Sequence, residues 1–146
     1  MSYTITLRIY QTNTNAFFRV VEAAVWTAAG GGTWDAVRGE HVLTVNSGSA
    51  GVLRLVSDTG EVSTVALGVH EDKRWCDIVT GLQPGQTAAS VLGEYYVAGG
   101  TVDRSYMRKK QAESYAVTSL GPQARKYTVA YSVATGANLK ANLTIG

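Results

Sequence analysis

Alternation of apolar and polar residues dominates the chain. Tyr3, Ile5, Leu7 and Ile9 alternate with Thr4, Thr6, Arg8 and Tyr10, which predicts a half-buried strand over residues 3–11. A polar turn follows at Gln11-Thr12-Asn13-Thr14-Asn15. Phe17 to Thr27 carries two signals. Glu22-Ala23-Ala24 suits a helix, whereas Val20, Val21, Val25 and Trp26 suit a strand, and the β-branched and aromatic majority favours the strand. Thr33 to Val45 reads as strand interrupted near Arg38-Gly39. Val52 to Val56 and Glu61 to His70 form a hairpin about the turn Ser57-Asp58-Thr59-Gly60. Asp77 to Leu82 predicts a short helix stopped by Gly81 and Pro84. A second helix is expected over Thr87 to Tyr96, with Gly99-Gly100 ending it. Three more strands follow around Tyr115-Ala116-Val117, Tyr127 to Val133 and Leu139 to Ile145, with turns at Gly121-Pro122 and Asn138. About eight to ten strands with one helix–loop–helix insert predict a mainly β, two-sheet sandwich.

The densest stretch runs from Gly68 to Thr80. It holds one of two His, one of three Trp and the sole Cys. Alternation from Val62 to Val69 gives way there to a helix-like pattern, so a strand-to-helix corner is expected. Two readings stay open. Trp75 and Cys76 plug a structural corner, or side chains and the free N–H groups of a helix start converge on a ligand. Gly30-Gly31-Gly32 is open in the same way, as a hairpin connection or as a loop that lets a ligand approach the main chain.

Composition narrows the classes. At 146 residues the chain is expected to form one domain spanning residues 1–146. Only 16% of residues are charged and 45% are hydrophobic, with eight Tyr and three Trp. That is little charge for a soluble monomer and predicts extra buried surface, such as a subunit interface. A net charge of +2 is too small to argue for a nucleic-acid partner. The cluster Arg104, Arg108, Lys109, Lys110 fits a solvated face or a few specific polar contacts. A lone Cys76 excludes an intrachain disulfide and fits a reducing compartment. No signal-peptide pattern and no apolar run of membrane-spanning length occur, so a cytoplasmic protein without membrane insertion is expected, release by an unconventional route remaining open.

Few chemistries have the residues they need. His41 and His70 are far apart and no Cys pair exists, so neither a metal site nor a cofactor is expected. Phosphate-loop, dinucleotide and nucleophile-elbow motifs are absent. Asp77 with Glu94 would make a glycosidase pair only if one carboxyl pKa were raised. Sugar binding fits better. Sugars are held by carboxylates and guanidinium groups at their polar rims and by aromatic rings on their C–H faces. Asp77, Arg104 and Tyr115 supply those types.

Several segments resemble the fungal fruit-body lectin family of Agaricus and bolete mushrooms. They are Thr4-Ile5-Thr6-Leu7-Arg8-Ile9-Tyr10-Gln11-Thr12, Gly31-Gly32-Thr33-Trp34, Lys73-Arg74-Trp75-Cys76-Asp77-Ile78-Val79-Thr80, Glu94-Tyr95-Tyr96 and Asn138-Leu139-Lys140-Ala141-Asn142-Leu143 with Ile145-Gly146. The resemblance implies an α/β sandwich of two sheets joined by a helix–loop–helix, similar to the actinoporins. It also implies a non-enzymatic homotetramer with glycans and glycoproteins as partners and a role in defence. One implied site takes terminal N-acetylglucosamine through Asp77, Ile78, Thr80, Arg104 and Tyr115, with Thr80 and the Ile78 main chain at a helix start. The other takes galactose and N-acetylgalactosamine, as in the T-antigen disaccharide, and falls on Ala29, Gly30, Ser47, Gly48, His70, Glu71 and Asp72. Here the chain departs from the family. It has Ala29-Gly30-Gly31-Gly32 where members carry Ala-Asn-Gly-Gly, and His70-Glu71-Asp72 where they carry His-Asn-Tyr. Its Ser47-Gly48 loop is one residue shorter. An amide and an aromatic face are lost, so weaker T-antigen binding is expected. The alternative activity is membrane-active pore formation. That needs an amphipathic segment near the N-terminus, where residues 3–11 read as a strand.

Overall fold

The computed structural model describes residues 2–97, 102–121 and 123–146. Ten strands and two helices occur among them. In chain order they are β1 (Ser2–Gln11), β2 (Phe18–Val25), β3 (Gly32–Val37), β4 (Glu40–Asn46), β5 (Ala50–Ser57), β6 (Val62–His70), β7 (Lys73–Thr80), α1 (Ala88–Glu94), α2 (Ser105–Lys110), β8 (Ser114–Thr118), β9 (Lys126–Val133) and β10 (Asn138–Ile145). A six-stranded sheet runs β3-β4-β1-β10-β9-β8 and a four-stranded sheet β2-β5-β6-β7. All pairings are antiparallel except β1 with β10, which run parallel from Thr4↔Asn138 to Gln11↔Ile145.

The alternation read in the sequence sets the first apolar layer. Tyr3, Ile5 and Leu7 of β1 point inward and meet Leu53, Leu55, Val65 and Leu67 of the opposing sheet. The outer face of the four-stranded sheet is not left to water. Ala50, Val52, Ala66 and Trp75 pack there against Ala88, Val91 and Leu92 of α1, with Tyr95 and Met107. β6 is thus covered on both faces and buried from Ser63 to Val69, so its alternation does not divide a core face from a solvent face. The helix-like composition of Glu22-Ala23-Ala24 also finds its reason. The register of β2 shifts between Val20 and Glu22, and Oε1 of Glu22 accepts the Ala88 N–H at the start of α1 (2.9 Å).

Two expectations need correction. Residues 77–82 form no helix; Asp77 to Thr80 complete β7, paired with β6 from His70↔Lys73 to Ser63↔Thr80. The apolar period misleads there because β7, like β6, is covered on both faces, and the β-branched Ile78, Val79 and Thr80 favour a strand. Residues 68–80 are therefore a strand–turn–strand, not a strand-to-helix corner. The helix–loop–helix instead consists of α1 and of α2, which lies in the charged stretch after residue 102. Thr87 caps α1 reciprocally with Ser90, as the helical reading of Thr87 to Tyr96 requires. Gly99-Gly100 and Pro122 lie outside the described residues.

Candidate functional site

β7 is an edge strand of its sheet. Along it Trp75 and Val79 face the helices, so Asp77, between them, does too. Asp77 is 2% exposed. Its Oδ2 accepts the Tyr95 hydroxyl at 2.7 Å, and the Ile78 N–H also donates to the carboxylate. Burial raises the Asp77 pKa above the usual carboxylate range, against these two donors and the charges of Arg104 and Lys110. Arg104 precedes α2 and is fixed by Glu94, through Nε to Oε1 and through its N–H to the Glu94 carbonyl, each at 2.8 Å. Tyr115 on β8 packs against both apolar layers. Burial raises its pKa first, and the field of Asp77 adds to this while Arg104 opposes it. Carboxylate, guanidinium and phenol therefore converge where the edge of one sheet meets the edge of the other under α2.

The structure brings Asp77, the Ile78 main chain, Arg104 and Tyr115 together. It does so on a strand edge and not at a helix start. The Ile78 side chain belongs to the inter-sheet core. Thr80 ends β7 about 10 Å further along the strand from Asp77 and projects to the opposite face. Tyr95, Lys110 and Tyr106 enter the neighbourhood without having been singled out as site residues. Tyr95 sits in a helical pattern whose apolar stripe would have marked it as core only.

A second cluster forms at the other end of β7. Glu71 and Asp72 make the β6–β7 turn with φ of 49° and 64°, the left-handed pair of a tight hairpin. Ser47 Oγ accepts the Asp72 N–H at 2.8 Å, and the Gly48 N–H donates to the Val69 carbonyl at 2.7 Å. A Cβ on Gly48 would stand 3.3 Å from that of Ala29, and a Cβ on Gly30 would strike the Asn46 amide. The two small-residue loops are thus pressed together beside the hairpin. His70 contributes its ring, with Nδ1 3.2 Å from Arg108 Nη1 and Nε2 3.9 Å from Glu71 Oε1. Ala29, Gly30, Ser47, Gly48, His70, Glu71 and Asp72 therefore lie in one region. The Asp72 carboxylate accepts the Tyr3 hydroxyl at 2.9 Å. It borders a cavity of about 370 Å³ lined also by Lys73, Arg74, Thr135 and Gly136.

Two packed sheets, a helical pair on one outer face and two polar clusters flanking it define the class. The model of the fungal fruit body lectin family matches residues 1–143, and the chain belongs to this family of non-enzymatic, carbohydrate-binding proteins. It is 48% identical over 145 residues to the Boletus edulis lectin, covering 98% of each chain. The crystal structure of wild-type Xerocomus chrysenteron lectin shares 51% identity at a TM-score of 0.94, with 100% of both chains covered. The lipid-binding protein Nakanori matches at a TM-score of 0.59 over 99% of this chain and 71% of its own, with 8% identity. That likeness speaks for the sandwich fold alone.

Proposed function

We propose that the protein is a multivalent lectin whose principal site takes terminal N-acetylglucosamine, as on trimmed N-glycans, through Asp77, the Ile78 main chain, Thr80, Arg104 and Tyr115. The observation that carries this reading is the buried Asp77 carboxylate, braced by Tyr95 and Ile78 beside a fixed guanidinium and a phenol. Two protein donors leave lone pairs free on the carboxylate for sugar hydroxyls. With Nε engaged by Glu94, the Nη groups of Arg104 remain to donate to sugar oxygens. The Tyr115 ring packs on a C–H face of the sugar. Thr80 is met only by a glycan that extends about 10 Å along the β7 edge beyond the sugar at Asp77.

The second cluster is a galactose and N-acetylgalactosamine site of the T-antigen type, with His70 and the Ala29 and Ser47-Gly48 loops as its frame. Its Glu71 and Asp72 only accept hydrogen bonds where an amide also donates, and Tyr3 already occupies Asp72. Weaker T-antigen binding than in amide-bearing members is expected. Tetramer assembly multiplies weak single-site contacts into avidity. Defence against glycan-bearing predators or parasites, exerted from a cytoplasmic store, is the role that family membership favours.

A glycan array with wild type and Arg104→Ala tests the reading. N-acetylglucosamine-terminated glycans bind the wild type and lose the variant, while galactose-type glycans bind both equally. Array binding restricted to galactose-type glycans and indifferent to the substitution would overturn the principal assignment.

A further inference from the structure

We propose that Arg108 is a positioning residue of the second sugar site: it holds the His70 imidazole in the tautomer protonated on Nε2, so that the ring meets a sugar as a hydrogen-bond donor. This rests on the reading of the His70 cluster as a sugar site. A guanidinium has donors only. With Nη1 of Arg108 at 3.2 Å, Nδ1 of His70 must offer its lone pair, and in the neutral ring the proton then sits on Nε2.

Arg108 is held in place by two contacts of its own. Its Nε donates to the Tyr95 carbonyl at 2.6 Å. Its guanidinium lies 4.3 Å from the centre of the Tyr96 ring. Tyr96 in turn stacks on Trp26 with ring centres 4.1 Å apart and planes within 2°. The Tyr96 hydroxyl donates to the Gly48 carbonyl at 3.0 Å. The ladder Trp26–Tyr96–Arg108 thus sets both walls of the cluster, the Gly48 loop through one rung and the imidazole through the next. The backbone of His70 is fixed as well, because its carbonyl accepts Gln111 Nε2 at 2.6 Å.

The other ring nitrogen is left for a ligand. Nε2 stands 3.9 Å from Glu71 Oε1, too far for a hydrogen bond. No acceptor lies within bonding range of it among the described residues. A half-buried N–H at the rim of a sugar cluster calls for a ligand oxygen with a free lone pair, a hydroxyl or an acetamide carbonyl. A sugar lacking that oxygen leaves the donor unpaired and is rejected.

Long-range proton–nitrogen correlation on ¹⁵N-labelled protein tests this directly. His41→Gln identifies the His70 signals. The expected pattern in the unliganded wild type is a protonated Nε2 and an unprotonated Nδ1, in at least roughly tenfold excess over the other tautomer. Arg108→Met keeps an apolar stem against Tyr96 but removes the donor, and the excess should collapse. Arg108→Lys, again a pure donor, should restore it. A wild-type ring protonated on Nδ1, or an excess unchanged in Arg108→Met, overturns the proposal. Titration with methyl galactosides separates it from the reading beneath it. If the tautomer is as expected but His70 Nε2 fails to respond to these sugars, the site assignment fails and the positioning by Arg108 stands.

Discussion

At the scale of single residues, Asp77 of the proposed N-acetylglucosamine site is a buried carboxyl that costs stability when ionised. Its folded pKa is raised by burial, so the folded state binds more protons than the unfolded chain between the ordinary carboxyl value and the raised one. Stability contributed by this group is therefore highest at low pH and falls as pH rises through that window. Glu61 is the opposite case. The Arg125 guanidinium, paired to it through Nε at 2.6 Å and Nη2 at 2.9 Å, lowers its pKa, so its contribution is lost as pH falls. Asp77→Asn isolates the first effect. Urea midpoints measured from pH 4 to 8 should converge with, or exceed, those of wild type at the upper end, while N-acetylglucosamine affinity drops by about 1–3 kcal/mol. Parallel midpoint curves for the two proteins would show that Asp77 carries no such linkage.

At the scale of elements, two glycines make room for indoles. Gly68 on β6 lies opposite Trp75 on β7, and a Cβ there would stand 2.5 Å from the indole nitrogen and 2.6 Å from Ala50 Cβ. Gly51 on β5 leaves similar space for Trp34 of the other sheet. Trp75 is fully buried and packs on Tyr95 at 4.9 Å between ring centres. Tyr95 is the residue whose hydroxyl braces Asp77 and whose carbonyl anchors Arg108. Gly68→Ala should therefore destabilise the fold by about 1–3 kcal/mol through overpacking and weaken N-acetylglucosamine binding at the same time. Calorimetric melting with sugar titration checks both, and an unchanged melting temperature would refute the packing argument.

The same elements explain what the sequence makes legible. Strands with one apolar face, such as β1, β9 and β10, declare themselves by alternation, because solvent enforces the polar half of the pattern. β7 does not, because the helices cover its second face and remove that half. α2 is missed for the converse reason. It is a single short helix with Arg108, Lys109 and Lys110 in its last turn and only Ser105 and Met107 buried. Asp77, Arg104 and Tyr115 are legible as sugar-compatible types, but their meeting depends on β7 and β8 being edges of different sheets that adjoin. The bracing of Asp77 by Tyr95 and the pairing of Arg108 with His70 escape notice, because one runs through a hydroxyl beneath the core and the other joins residues 38 positions apart, and neither leaves a motif in the chain.

At the scale of the molecule, the two clusters lie at different points along one edge strand and share Tyr95 as a common brace. With 16% charged residues and exposed apolar side chains at Phe17, Val21 and Val37, the surface has apolar ground beyond the two polar clusters. A homotetramer would cover part of it. Light scattering on the eluting protein should give a mass about four times 15.5 kDa, whereas a monomer mass would remove avidity from the proposed mode of binding.

The parallel pairing of β1 with β10 has a consequence for synthesis. The six-stranded sheet has these two strands at its middle, so β1 waits for β10 before the sheet closes. Until residues 138–145 have left the ribosome, β1 and β4 can pair, but one edge of β1 and the apolar face it shares with Leu139, Ala141 and Leu143 lie open. Closure of the sheet thus rests on a pairing between segments far apart in sequence, which makes it a slow, late step of folding and leaves that apolar face open to wrong pairing until then.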